Sequence, residues 1–266
     1  MLRSVFAKTA YEQRRSLLGW ATAIVLLVLM YAAIWPGIRD QPSLNDFLDT
    51  MPEAFRSLFA SSGADMSTPV GYIQIEFMSF MGPILVILYA VAQGSRGVAG
   101  EEDRRTMDLL LAEPVSRSRV LLEKAAAMVA GTFLLSATLG LALVVEGRLF
   151  DMVIPVDRVA AAMLHLALLG LVFGAMALAV GAVTGDVGLS RAIPTGVAVV
   201  AYLVNGLGAM VSWLEPLQPY SPFYQYIAHD PLRTGVSGPA AAVAAATVVV
   251  LVVAGVWGFR RRDVRG

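Results

Sequence analysis

The chain has 266 residues, of which 57% are hydrophobic and only 15% are charged, and its formal net charge is zero. Soluble domains are about 45–50% apolar and about 25% charged, so this composition excludes an ordinary soluble fold and indicates a bilayer protein. The chain has no cysteine, which excludes disulfides, thiolate metal sites and cysteine nucleophiles. Because the charges balance, nucleic acid is not an expected partner.

Six apolar runs are each long enough to cross a bilayer, which takes about 20 residues of helix. We therefore predict an all-α integral membrane protein with six transmembrane helices, in which residues 1–266 form a single transmembrane domain. The predicted spans are 17–38, 73–93, 120–145, 159–184, 192–214 and 239–259. The loops between them leave no room for a separate soluble domain.

The segment ahead of the first span mixes apolar residues at helical spacing with basic ones, as at Val5, Phe6 and Lys8. This pattern predicts an N-terminal amphipathic helix that lies in the headgroup plane and is followed by the first span. The first apolar run is longer than a signal-peptide core, and no convincing small-x-small cleavage site follows it. We therefore expect it to remain in the protein as a span.

Four residues stand out within the spans. Pro83 predicts a kink in the second span. Glu76 in the same span is a candidate functional residue, because carboxylates are costly at membrane depth, although it can also reach the outer headgroups. Asn205 in the fifth span either lines a pathway or forms a hydrogen bond between helices. His165 in the fourth span has no second ligand, which favours an interhelical hydrogen bond over a metal site.

The segment between the second and third spans is the most informative. Glu101 and Arg105 lie at i, i+4 spacing, which supports a helix, and Met107 with the leucines that follow it forms an apolar side. Pro114 ends this helix, because the residue before a proline avoids the α conformation. We predict a short amphipathic helix over residues 101–113, and the alternative is a solvated charged loop.

Basic residues predict the orientation of the chain. Fifteen of the 20 Lys and Arg residues lie in the two tails and in the loops after the second and fourth spans, and five lie in the other loops. Because basic residues concentrate in cytoplasmic loops, we predict that both termini and the 101–113 helix are cytoplasmic.

A longer pattern surrounds this predicted helix. From Gly100 the chain reads Gly-Glu-Glu, four further residues, then Met-Asp-Leu-Leu-Leu-Ala-x-Pro-Val-Ser-Arg-x-Arg, and Lys124 follows at the head of the third span. The pattern resembles that of permease subunits of ATP-binding-cassette (ABC) transporters of the type-2 export family. The Ser-Pro-Phe sequence at 221–223 and the basic tail at 260–263 are also similar. Arg105 stands where the family usually has Gly, and Met107 where it usually has Leu.

The resemblance implies that the short cytoplasmic helix is a coupling helix, which docks in a cleft of a partner ATPase. The residues that would form or support this contact are Glu101, Glu102, Thr106, Leu109, Leu110, Pro114 and Arg117. The resemblance further implies an exporter in the cell (plasma) membrane, with two ATPase copies and a second permease that is identical or a close paralogue. The substrate would pass between the permeases along the second and fifth spans, which contain Glu76 and Asn205.

The chain has no G-x-x-x-x-G-K-[ST] motif, so we expect it not to be an enzyme, and ATP and Mg²⁺ to bind to the partner ATPase. Two other functions remain open. An ion-gradient-driven secondary transporter usually has several buried carboxylates and an internal repeat, whereas only Glu76 qualifies here. An intramembrane enzyme needs a nucleophile and base, or a metal cluster, and two scattered histidines make this unexpected.

Overall fold

A computed structural model describes residues 4–41, 50, 65–112, 114–208 and 210–263, and the described residues contain helices and no strand. Five helices are long and apolar enough to cross a membrane, and a bent pair of helices can be counted as a sixth. The predicted all-helical class is therefore confirmed. The six main helices are α1 (Val5–Ile38), α2 (Met81–Gly97), α3 (Arg117–Leu149), α4 (Val156–Thr184), α5 (Val187–Leu207) and α6 (Gly238–Arg261).

Helix α4 forms the centre of the bundle. Its most apolar stretch is 83% buried, whereas the equivalent stretches of α1, α5 and α6 are each only 17% buried. Small residues allow α2 to approach α4 closely, since a Cβ atom at Gly94 would clash with the carbonyl oxygen of Gly174. The same close approach occurs where Gly170 faces Val86. Glycine is common at such helix crossings in membranes because it lets two backbones meet.

The N-terminal segment differs from the expectation. The Ser4 side chain accepts a hydrogen bond from the backbone N–H of Ala7, and the helix that starts there continues without a break to Ile38. No proline occurs before Pro36, near the end of α1, so nothing in the sequence ends one helix before the span begins. In the part of the chain that the structure describes, residues 5–16 are therefore the first turns of α1, and no separate helix precedes the span.

The second span is broken. Helix Pro69–Ile73 continues as a π-helical turn, Gln74–Met78, and α2 then starts at Met81 with a bend of 44°. Pro83 explains the position of the break, because it has no N–H to donate to the carbonyl of residue 79 and its ring clashes with that carbonyl. The predicted kink is present, and it lies about one helical turn before the proline.

Helix α5 starts and ends earlier than the predicted span 192–214. Gly185 adopts a left-handed conformation (φ 69°) that ends α4, and the Asp186 carboxylate then caps α5 by accepting a hydrogen bond from the Leu189 N–H at 2.8 Å. After Leu207 the chain folds back along α5. The Ser221 hydroxyl donates to the Ala201 carbonyl at 2.9 Å.

Candidate functional site

The loop between α2 and α3 forms two short helical turns. They are Ala99–Asp103 and Met107–Leu111, so the predicted single helix over 101–113 is wrong. Arg105 interrupts the helix with a φ of 56°, which glycine adopts most readily. Thr106 closes the turn, because its backbone N–H donates to the Glu101 carbonyl at 2.9 Å.

Glu101 forms a buried ion pair with α3. The Lys124 ammonium lies 2.6 Å from the Glu101 carboxylate, and the two side chains are only 4% and 7% exposed. The Thr106 hydroxyl donates to the same carboxylate, and the Lys8 ammonium of α1 lies 3.8 Å away. No ion pair among the described residues links Glu101 to Arg105, the partner expected from helical spacing.

Glu102 forms a second buried ion pair, with the end of the chain. Both Glu102 oxygens accept hydrogen bonds from the Arg262 guanidinium, and one of these bonds measures 3.0 Å. Arg262 also donates from Nε to the Ala182 carbonyl of α4 at 3.2 Å. Gly185 provides the space for this pair, because a Cβ atom at that position would clash with the Arg262 guanidinium.

Arg117, at the start of α3, binds the end of α6. Its Nη1 donates to the carbonyl oxygens of Arg262 and Phe259, and its guanidinium lies 5.8 Å from the centre of the Phe259 ring. On the other side of α3, the Phe6 N–H of α1 donates to the Glu123 carboxylate at 2.8 Å. Both ends of the described chain and the α2–α3 loop therefore meet at one end of the bundle, which we call the terminal face.

These contacts define an ion-pair cluster of Glu101, Glu102, Lys8, Lys124 and Arg262, which joins the loop to α1, α3 and α6. Burial acts to raise the pKa of Glu101. Three groups lower this pKa: Lys124 by its charge and its hydrogen bond, Thr106 by its hydrogen bond, and Lys8 by its charge. Together they outweigh burial, so the pKa of Glu101 is lowered from its ordinary value. The carboxylate is therefore the form that the folded loop stabilises.

The predicted coupling residues have different exposures. Glu101 and Glu102 are buried, Thr106, Leu110 and Arg117 are half-buried, Pro114 is exposed, and the side chain of Leu109 lies outside the described atoms. Four charged residues that the sequence analysis did not select as coupling residues are also exposed on the loop. They are Asp103, Arg104, Arg105 and Asp108.

Glu76 and Asn205 are not brought together with the ion-pair cluster. Glu76 is exposed in the π-helical turn, and Asn205 is half-buried near the end of α5, where its carbonyl accepts a hydrogen bond from the Gln218 amide at 2.7 Å. Glu146, which the sequence analysis passed over, is more buried than Glu76. His165 accepts a hydrogen bond from the Ser237 N–H at 3.2 Å, as expected for an interhelical contact.

The bundle and its long apolar helices define a multi-pass membrane protein. A family model described as "ABC-2 family transporter protein" matches residues 3–264, so the chain belongs to that family. This membership identifies the chain as a transporter permease and implies an ABC transporter system with an ATPase partner. A search of curated proteins found no match.

Proposed function

We propose that the chain is the membrane-spanning subunit of an ABC exporter. Two permease copies, identical or closely paralogous, form the substrate pathway, and two copies of a separate ATPase bind ATP and Mg²⁺ and drive transport. The chain itself hydrolyses no ATP. The family match over residues 3–264 supports the permease role, and the absence of a phosphate-binding loop motif in the sequence supports a separate ATPase.

The ATPase docks on the α2–α3 loop of the terminal face. The observation that carries this proposal is the division of the loop into two sides. Asp103, Arg105 and Asp108 are exposed to a partner, whereas Glu101 and Glu102 are paired inward. Glu101 and Glu102 therefore support the contact, and the exposed charges form it.

The ion-pair cluster transmits motion of the loop to the bundle. Glu101 links the loop to α3 through Lys124, and Glu102 links it to α6 through Arg262. A buried bidentate pair between arginine and a carboxylate has a fixed geometry, so a push on the loop moves the ends of both helices as a unit. Such a rigid connection suits a switch between two discrete arrangements of the helices.

The terminal face is cytoplasmic in this proposal, because an ATPase requires cytoplasmic ATP and because most basic residues lie on that side. Reporter fusions after Arg104 and Arg262 should therefore be cytoplasmic, and fusions after Asp151 and Leu217 should be external. A reversed reporter at any of these four positions would contradict the six-span topology.

The docking test uses the full chain co-expressed with the ABC ATPase from its genomic neighbourhood. We expect a 2:2 complex that hydrolyses ATP, and no hydrolysis by the chain alone. Reversing the exposed charges in Asp103→Lys with Asp108→Lys should weaken co-purification of the ATPase, because like charges placed across an interface repel. The matched control reverses Asp40 and Asp157, which are exposed acids away from the loop.

A further variant separates docking from coupling. Glu102→Gln keeps the exposed surface of the loop but weakens its pair with Arg262, so the ATPase should still bind while ATP hydrolysis no longer drives transport efficiently. If the exposed reversal leaves both assembly and transport at the level of the unmodified protein, the loop is not the docking site. Robust ATP hydrolysis by the isolated chain would refute the assignment of ATP hydrolysis to a separate subunit.

A further inference from the structure

A polar cavity opens on the terminal face, between α1, α2, α3 and the α2–α3 loop. Its volume is about 110 Å³. Nearly every lining residue has a polar side chain. The residues are Thr9, Glu12 and Gln13 from α1, Gln93, Arg96 and Gly97 from α2, Glu101 and Arg104 from the loop, and Lys124 from α3.

Gln93 presents a buried amide to the cavity that a ligand or water must satisfy. The residue is only 3% exposed, and neither its amide nitrogen nor its amide oxygen has a hydrogen-bond partner among the described residues. A buried polar group without a partner is destabilising, and such groups in folded proteins are usually paired with protein, water or ligand. One turn earlier on α2, the buried Tyr89 hydroxyl also lacks a described partner.

The charges around the cavity favour an anion. The carboxylate of Glu101 is neutralised by Lys124 at 2.6 Å, and that of Glu12 lies 3.7 Å from Lys8. Arg96 and Arg104 form no ion pair with the part of the chain that the structure describes. Two guanidinium groups and the Gln93 amide therefore offer donors to a ligand with several acceptor oxygens, which is the chemistry of a phosphate group.

The size and position of the cavity favour a lipid as the source of that phosphate. A volume of about 110 Å³ has room for a phosphate group and is smaller than the ~300–1,000 Å³ pockets that hold whole organic ligands. The cavity lies where the apolar stretches of α1, α2 and α3 give way to polar residues, at Gln13, Gln93 and Lys124, which is the level of lipid headgroups. Basic pockets between transmembrane helices bind the headgroups of anionic lipids in this way.

We propose that this cavity binds the phosphate group of an anionic phospholipid from the leaflet at the terminal face. Arg96, Arg104 and the Gln93 amide bind the phosphate oxygens, and the acyl chains remain in the bilayer. Because Arg104 belongs to the loop and Lys124 lines the same cavity, the bound lipid supports the loop beside the ion-pair cluster. The proposal does not depend on which substrate is transported or on the ATPase.

The test measures lipid binding to the purified, delipidated full chain in detergent. Phosphatidylglycerol is titrated and followed by native mass spectrometry and by the rise in melting temperature. Diacylglycerol with the same acyl chains and inorganic phosphate are the comparison probes. We expect saturable binding of phosphatidylglycerol and no stabilisation by diacylglycerol. Stabilisation by inorganic phosphate with no binding of phosphatidylglycerol would show a free-anion site and overturn the lipid assignment.

Variants at the cavity complete the test. Gln93→Glu keeps the size of the side chain and adds a negative charge, and Arg104→Gln removes a donor, so each should weaken phosphatidylglycerol binding about tenfold or more. Arg15→Gln removes an exposed positive charge of α1 outside the cavity and should leave binding unchanged. Binding that is equally strong in the two cavity variants and in this control would overturn the proposal.

Discussion

Replacement of Lys124 by methionine tests whether the Glu101–Lys124 pair holds the loop to α3. The substitution keeps the length and most of the volume of the side chain but leaves the Glu101 carboxylate, whose side chain is 7% exposed, without its partner at 2.6 Å. Removing one member of a buried ion pair typically costs about 3–5 kcal/mol. Lys8 at 3.8 Å and the Thr106 hydroxyl remain, so we expect a loss near the lower limit, about 3 kcal/mol.

The double variant Lys124→Met with Glu101→Gln removes both charges and should recover most of that loss, because an uncharged replacement of a buried pair is often close to neutral. The free energy of unfolding in detergent, measured by denaturant titration, distinguishes the variants. Arg119→Met is the matched control. It breaks a 2.7 Å pair with Glu123, but the Arg119 side chain is 61% exposed, so the cost should be about 0.3–0.5 kcal/mol. If Lys124→Met loses as little unfolding free energy as the control, the Glu101–Lys124 pair does not stabilise the fold as a buried ion pair.

Two further predictions concern pH and packing. Because the pKa of Glu101 is lowered in the folded protein, its contribution to stability is complete above the ordinary glutamate pKa and is lost as the pH falls through the lowered value. Melting temperatures measured from pH 7 to pH 3 should therefore fall less steeply in Glu101→Gln than in the unmodified protein, and parallel curves would exclude this role. Gly94→Val places a side chain against the Gly174 carbonyl and should destabilise the bundle by about 1–3 kcal/mol, whereas Gly196→Ala, with open space around it, should not. Equal unfolding free energies for these two variants would contradict the close α2–α4 packing.

Hydropathy predicted the helical class and the approximate helix positions, because the cost of unpaired backbone groups in lipid leaves few alternatives to a helix. Local signals also mark the ends of helices. A glycine followed by aspartate at 185–186 marks the end of one helix and the cap of the next, and Gly185 and Asp186 do separate α4 from α5. The displacement of the Pro83 bend by one turn likewise follows from the hydrogen bond that proline cannot make.

The orientation of the loop could not be predicted from local spacing. The i, i+4 pattern predicted that Glu101 pairs with Arg105. A buried carboxylate is stabilised more by a buried ammonium than by an exposed guanidinium, and that ammonium belongs to Lys124, 23 residues away. The partner of Glu102 is 160 residues away, in the tail. Charge spacing along one segment contains no information about such distant partners. The one available signal was Lys124 itself, since a lysine inside an apolar span requires a partner.

The uninterrupted length of α1 has a geometric consequence for the terminal face. Its 34 residues extend about 51 Å at 1.5 Å per residue, whereas the hydrocarbon layer is about 30 Å thick. Even a tilt of about 40°, near the upper limit for membrane helices, would accommodate only about 39 Å of it. At least about eight residues, or two turns, must therefore project beyond the hydrocarbon layer. The polar end, with Lys8 and Glu12, is the end that projects, so α1 extends beyond the hydrocarbon layer and reaches the loop there.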